Sequence, residues 1–133
     1  MDGGAVTESR PGLDERGLPG GYPFQPEWET TPREYRDAVA RGERVVLVDC
    51  RTTQEREIAS IPGSIHVPLH ELANHVEALR AHEDDPIVVH CHQGGRSLRM
   101  TAQLRSAGFG NVKSMAGGIH LWSLDVDPSV PIY

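Results

Sequence analysis

Cys91 ends the apolar run Ile87-Val88-Val89-His90 and opens the segment Cys91-His92-Gln93-Gly94-Gly95-Arg96-Ser97. The run has the length and β-branched content of a buried strand, and a helical pattern follows from Leu98 to Ala107. A thiol at that junction faces a helix N-terminus and the backbone N–H groups of a short loop, both of which favour a thiolate. Gly94 and Gly95 permit the positive φ and close approach by which successive N–H groups form an anion nest. Arg96 adds a full positive charge. All three influences lower the pKa of a cysteine from its ordinary value of about 8.5. An inert buried cysteine is the competing reading. It suits a lone cysteine better than one with two glycines and an arginine in the next five residues. The cradle suits an oxyanion or the negative charge of a persulfide.

His90 and His92 flank the thiol, and five further histidines are scattered along the chain. Adjacent residues of a strand point to opposite faces, so an H-C-H run does not converge on one ion. No metal site is expected.

The elements that must position this loop follow from pattern. Residues 1–26 hold six glycines and four prolines without apolar periodicity. They read as a mobile arm or one that lies extended over the surface, with Leu13, Leu18, Tyr22 and Phe24 as its anchors. The domain is expected over 27–133. Thr31-Pro32-Arg33-Glu34 is a capping box with proline at the first helical position, and Gly42 stops the helix it opens. Val45 to Val48 reads as a strand covered on both faces, Thr53 to Ala59 as a short helix and Ser64 to Val67 as a short strand. Leu69, Leu72, Ala73, Val76 and Leu79 recur at three and four, the spacing of an amphipathic helix. Val112 to Met115 reads as the last strand, and Gly117-Gly118 turns into a short helix with Leu121 and Trp122. Alternating strands and helices give an α/β domain with a mostly parallel sheet and helices on both faces. Ligands in such sheets bind beyond the carboxyl ends of the strands, where Cys91 and the segment after Asp49 fall.

At 133 residues the chain is most simply one domain. Two cysteines, Cys50 and Cys91, make no disulfide framework. A net charge of −6 argues against binding nucleic acid or anionic membrane. No apolar stretch has the length of a membrane span and no secretory pattern opens the chain. The expectation is a soluble, cytoplasmic protein.

Four pieces, in order and at matching spacing, resemble the rhodanese-like sulfurtransferases over residues 28–133. They are Leu47-Val48-Asp49-Cys50-Arg51 with Glu55, Ile61-Pro62-Gly63-Ser64-Ile65, the loop from Cys91 to Arg96, and Gly117-Gly118-Ile119 with Trp122. The resemblance implies a rhodanese-like fold with a five-stranded sheet and a cysteine-persulfide sulfurtransferase. Cys91 would take a sulfane sulfur from thiosulfate or another small anionic donor and pass it to a thiol or a sulfur-carrier protein, with no metal and no cofactor. Backbone N–H groups of His92, Gln93, Gly94, Gly95 and Arg96 would stabilise the persulfide, and Arg96 would attract the donor. His92 and Gln93 would line the pocket mouth. Asp49, Arg51 and Glu55 read as an ion-pair and hydrogen-bond set supporting the neighbouring loop.

Two departures stand out. Ala59-Ser60 replaces the Gly-His that often precedes Ile-Pro-Gly, and Cys50 sits where many members carry an aliphatic residue. Some phosphatases of this fold have a cysteine there that forms a disulfide with the nucleophile. Cys50 is therefore either a redox partner of Cys91 or a small apolar residue of its strand. A phosphatase or arsenate reductase of the same fold is an alternative. Its loop carries one more residue between cysteine and arginine than the four found here. A protein-interaction module is a further alternative, disfavoured by the intact Cys-to-Arg loop.

Overall fold

The computed structural model describes residues 10–133. The amino-terminal part of the proposed arm, residues 1–9, lies outside them. In chain order the elements are β1 (Glu29–Thr30), α1 (Pro32–Ala40), β2 (Val46–Asp49), α2 (Thr53–Ile58), β3 (Ile65–His66), α3 (Leu72–Leu79), β4 (Ile87–His90), α4 (Gly95–Ser106), β5 (Val112–Met115) and α5 (Gly118–Asp125). The five strands form one parallel sheet in the order β1-β5-β4-β2-β3. β2 and β4 pair in register with Val46 opposite Ile87 and Asp49 opposite His90.

From β2 the chain steps outward to β3, then returns across β2 to place β4 on its other side. The order reverses between β2 and β4, so a crevice opens beyond their carboxyl ends. That topology brings the segments after Asp49 and His90 together.

The sheet is covered on both faces. Val48, Val89, Leu72, Leu79, Met100 and Leu104 are buried on the side of α3 and α4. Leu47, Val88, Met115, Ile119 and Trp122 are buried on the side of α1 and α5, with Tyr35 against them. Alternate residues of β2 and β4 thus serve opposite cores, as the two-residue period of a strand requires.

Local rules set the helix starts. The Thr31 side chain accepts the Glu34 N–H while Glu34 reaches back to the Thr31 N–H, and Thr52 with Glu55 repeats the device at α2. Helix α3 is preceded by a 3-10 turn, Leu69–Glu71. Its Ala73, expected on the apolar stripe, is exposed. Helix α4 begins at Gly95, three residues before the apolar pattern shows it, because Gly94 at φ 119° turns the loop straight into the first helical turn. The two-residue strand β1 has no counterpart in the sequence reading; it is too short to show alternation.

Residues 10–26 form turns that lie against the domain. Leu18 is buried against Ala116 and Leu121, with Leu13, Tyr22 and Phe24 beside it. No helix among the described residues is long and apolar enough to cross a membrane.

Candidate active site

Cys91 follows the last residue of β4 and is almost wholly buried. Its Sγ accepts the N–H of Gly94 at 3.1 Å and that of Ser97 at 3.4 Å, and lies 3.3 Å from Ser97 Oγ. The first turn of α4 is thereby the wall of the loop, and its unpaired amides and dipole bear on the sulfur. Ser97 Oγ also lies 2.7 Å from Ser114 Oγ and 3.2 Å from Gly94 O, which fixes the hydroxyl beside the thiol.

The loop is shaped from behind by α5. The amide of Ile119 donates to Cys91 O at 3.0 Å and that of His120 to His92 O at 3.1 Å. These bonds engage the loop carbonyls, which leaves loop amides free to face the sulfur. Gly118, at φ 59°, makes the approach possible: a Cβ there would lie 2.5 Å from His92 O and 2.6 Å from Cys91 O. The Gly117 amide donates to the Tyr22 hydroxyl at 3.1 Å, and that hydroxyl donates to Glu29 at 3.0 Å. Residues 10–26 therefore help to close the back of the loop.

The thiol of Cys91 is brought down to about 5. The neighbouring Cys50 thiol is the largest cause; burial opposes it, and the Ser97 hydroxyl, Ser97 amide and Gly94 amide add to the lowering. Cys50 moves the opposite way. The neighbouring Cys91 thiolate and its own burial push it up. At neutral pH the pair is one thiolate and one thiol, and both cysteines are free of disulfides. His90, directly behind, is fully buried, and that burial lowers its pKa and keeps the ring neutral.

The charged residues of the site fall into two sets. Asp49 and Arg51 form a bidentate pair at 2.9 and 2.7 Å with neither side chain exposed. Arg51 also donates to Ala59 O at 2.7 Å and to the Tyr133 hydroxyl at 3.0 Å. Arg56 adds a further contact to Asp49 at 3.0 Å. Burial pushes the Asp49 carboxyl up, but the Arg51 hydrogen bonds and nearby positive charge bring it net down. Glu55 belongs to the other set. It binds both arms of Arg96 at 2.6 and 2.9 Å and accepts the Tyr133 hydroxyl at 2.7 Å. The Arg96 bonds are the largest cause holding its carboxyl well below the usual range.

His92, Gln93, Gly95 and Arg96 surround an open depression of about 420 Å³ over Cys91. His92 stacks on Tyr133, with ring centroids 4.0 Å apart, and its Nε2 lies 2.9 Å from Tyr133 O. Arg99 also lines this mouth, and its guanidinium has no hydrogen bond or ion pair among the described residues. Sequence reasoning assigned no role to Ser97, Arg99, Tyr22 at the loop, or Tyr133. Arg99 sits one helical turn after Arg96 on the exposed side of α4, a spacing that offered a signal. Tyr133 offered none, since its partners lie far away in the chain.

The profile of the Rhodanese-like domain family matches residues 31–125. The chain is 39% identical over 108 residues to adenylyltransferase and sulfurtransferase MOCS3-2 of Zea mays, covering 77% of this chain and 22% of that protein. It is 34% identical over 104 residues to the probable adenylyltransferase/sulfurtransferase MoeZ of Mycobacterium tuberculosis, covering 77% of this chain and 26% of the relative. The chain thus spans about a quarter or less of the length of these curated relatives. Among solved structures, the human single-domain sulfurtransferase TSTD1 superposes with a TM-score of 0.62 at 28% identity, over 71% of this chain and 93% of that one.

Proposed function

This chain belongs to the rhodanese-like domain family, and on that premise we propose that it is a sulfurtransferase in which Cys91 carries a sulfane sulfur as a persulfide. The observation that carries the proposal is a thiolate held by the Gly94 and Ser97 amides in a six-residue loop. A depressed pKa leaves Cys91 ionised at neutral pH, and the thiolate is the nucleophilic form.

In the first half-reaction the Cys91 thiolate attacks the sulfane sulfur of an anionic donor. A new S–S bond forms, the donor's S–S bond breaks, and its electron pair leaves with the remainder, sulfite when the donor is thiosulfate. In the second, an acceptor nucleophile takes the outer sulfur, and Cys91 departs as the thiolate it was. The loop amides bear the charge at both stages, so the site stabilises each intermediate without rearrangement. Arg99 and the N-terminus of α4 supply the positive field that draws an anion to the mouth, while the Arg96 charge is largely met by Glu55. A thiol or the end of a sulfur-carrier protein is the acceptor class that fits an open mouth of this size. The relatives join adenylyltransferase and sulfurtransferase in their names, which supports a carrier protein as acceptor.

The test is mass spectrometry after incubation with thiosulfate and, in a second arm, with a low-molecular-weight persulfide. One added sulfur on the Cys91 peptide is expected, absent in Cys91→Ser. A parallel assay with para-nitrophenyl phosphate decides against a phosphatase. Hydrolysis of the ester with no sulfur gained from either donor would overturn the proposal.

A further inference from the structure

Cys50 and Cys91 each stand one residue beyond a strand, β2 and β4, that are hydrogen-bonded neighbours with Asp49 opposite His90. Carrying the register one residue further sets Cys50 beside Cys91. The Cys50 amide donates to His90 O at 3.0 Å, so the ladder does continue. Alternation settles the faces. Val48 and Cys50, Val89 and Cys91 all lie in the core beneath α3 and α4, whereas Leu47 and Val88 lie in the other. Both sulfurs therefore project from the same side of adjacent strands. Such strands run about 4.8 Å apart, within the span of Cα separations, about 4.4–6.8 Å, that a disulfide bridges.

Cys50 is almost wholly buried, at the edge of a second cavity. With Thr52, Leu69 and His70 it lines a cavity of about 360 Å³ that shares Arg96 and Arg99 with the depression over Cys91.

We propose that Cys50 is a resolving thiol that discharges the Cys91 persulfide as hydrosulfide. This rests on the reading of Cys91 as a sulfane carrier. The Cys50 sulfur attacks Cys91 Sγ, an Sγ–Sγ bond forms, and the bond from Cys91 Sγ to the outer sulfur breaks. The electron pair and the Cys50 proton both leave with that outer sulfur. Cys50–SH and Cys91–S–S⁻ thus become a Cys50–Cys91 disulfide and HS⁻. The dithiol loses two electrons and the sulfane sulfur gains them, so no outside oxidant is required. A dithiol reductant then restores both thiols. When an acceptor occupies the mouth, transfer outward wins; when none does, the sulfur leaves as sulfide instead of persisting on the protein.

The experiment loads wild type, Cys50→Ala and Cys50→Val with thiosulfate or a low-molecular-weight persulfide, removes the donor, and follows intact mass, non-reduced peptide maps and released sulfide. The valine variant supplies a second apolar filling should the alanine one not fold. Both variants are expected to gain one sulfur on Cys91 and keep it, with a lifetime at least about tenfold longer than wild type, because neighbouring sulfurs react without a collision. Wild type is expected to pass to a species two hydrogens lighter than the reduced chain, with a Cys50–Cys91 linked peptide and one sulfide per chain. Wild type that holds the added sulfur as long as the variants, with no linked peptide, overturns the inference and leaves the carrier reading intact. Failure of wild type as well as of the folded variants to gain sulfur from either donor overturns both. Wild type that loads while the variants, tested above the raised Cys91 midpoint, do not overturns the resolving role alone.

Discussion

The two arms of the Arg96 guanidinium meet the Glu55 carboxylate at 2.6 and 2.9 Å, in a geometry that leaves the loop's own cation paired before any substrate arrives. Glu55 is at the same time the third residue of α2, accepting the Thr52 amide at 3.2 Å. One carboxylate thus caps a helix after β2 and ties it to the helix after β4.

Replacing Glu55 by Gln separates the two consequences of that tie. Gln keeps the reach back to the Thr52 amide while the paired charge is lost, and unfolding stability is expected to fall by about 0.5–1 kcal/mol in a urea titration. The freed Arg96 raises the positive field at the mouth, so KM for a small dianionic donor is expected to drop while kcat changes little. A KM that rises would show that Arg96 must be held by Glu55 in order to serve.

The reactivity of Cys91 has a definite pH profile. Its pKa is lowered to about 5, so the thiolate fraction rises as pH increases through that value and is complete near neutrality. Iodoacetamide labelling of the Cys91 peptide is expected to climb through about pH 5 and then level off, where an ordinary thiol is still climbing toward about 8.5. In Cys50→Ala the largest stabilising contact is gone, and the midpoint is expected to move upward. An identical midpoint in both proteins would locate the stabilisation in the loop amides alone.

Asp49 and Arg51 make the opposite kind of ion pair, with no side-chain exposure on either partner. Truncation of Asp49 to Ala leaves a buried guanidinium with only neutral acceptors, among them Ala59 O and the Tyr133 hydroxyl, and the expected cost is about 3–5 kcal/mol. Asp49→Ala is expected to lower the thermal midpoint far more than Glu55→Gln. Comparable shifts in the two variants would mean that water reaches Arg51.

Much of this could be read from the chain, and the limits have physical causes. Cys91 was visible because a β-branched run, a thiol, two glycines and an arginine follow one another without interruption. The capping box at Thr31 and the stripe from Leu69 to Leu79 marked helices for the same reason: each is a local pattern. Ser97 was hidden inside what looks like loop, since α4 starts before its apolar residues do. The hold of Tyr133 on Glu55 spans 78 positions, and its contact with His92 spans 41, distances over which no periodicity speaks. Leu13, Leu18, Tyr22 and Phe24 were legible as the anchors of residues 10–26, but the glycines and prolines around them did not mark α5 as the place where Leu18 is buried. Turns satisfy that segment's backbone without any repeating pattern.

Gly118→Ala tests the rear support of the loop. A methyl group would collide with the carbonyls of Cys91 and His92, which are backbone atoms and cannot rotate away. The variant is expected to lose about 1–3 kcal/mol of stability. Its Cys91 labelling midpoint is expected to shift upward as the amides lose their aim. Unchanged labelling would show the loop holding its form without α5.

Helix α5 is itself seated far from the sulfur. Its Trp122 packs on Tyr35 with ring centroids 5.8 Å apart, and its Asp125 grips Arg33 at 2.6 Å in a buried pair. Nucleophilicity at one edge of the sheet is consequently governed in part by how firmly a helix is anchored on the opposite flank. Damage to that distant mooring should register as a dulled thiol before the molecule comes apart.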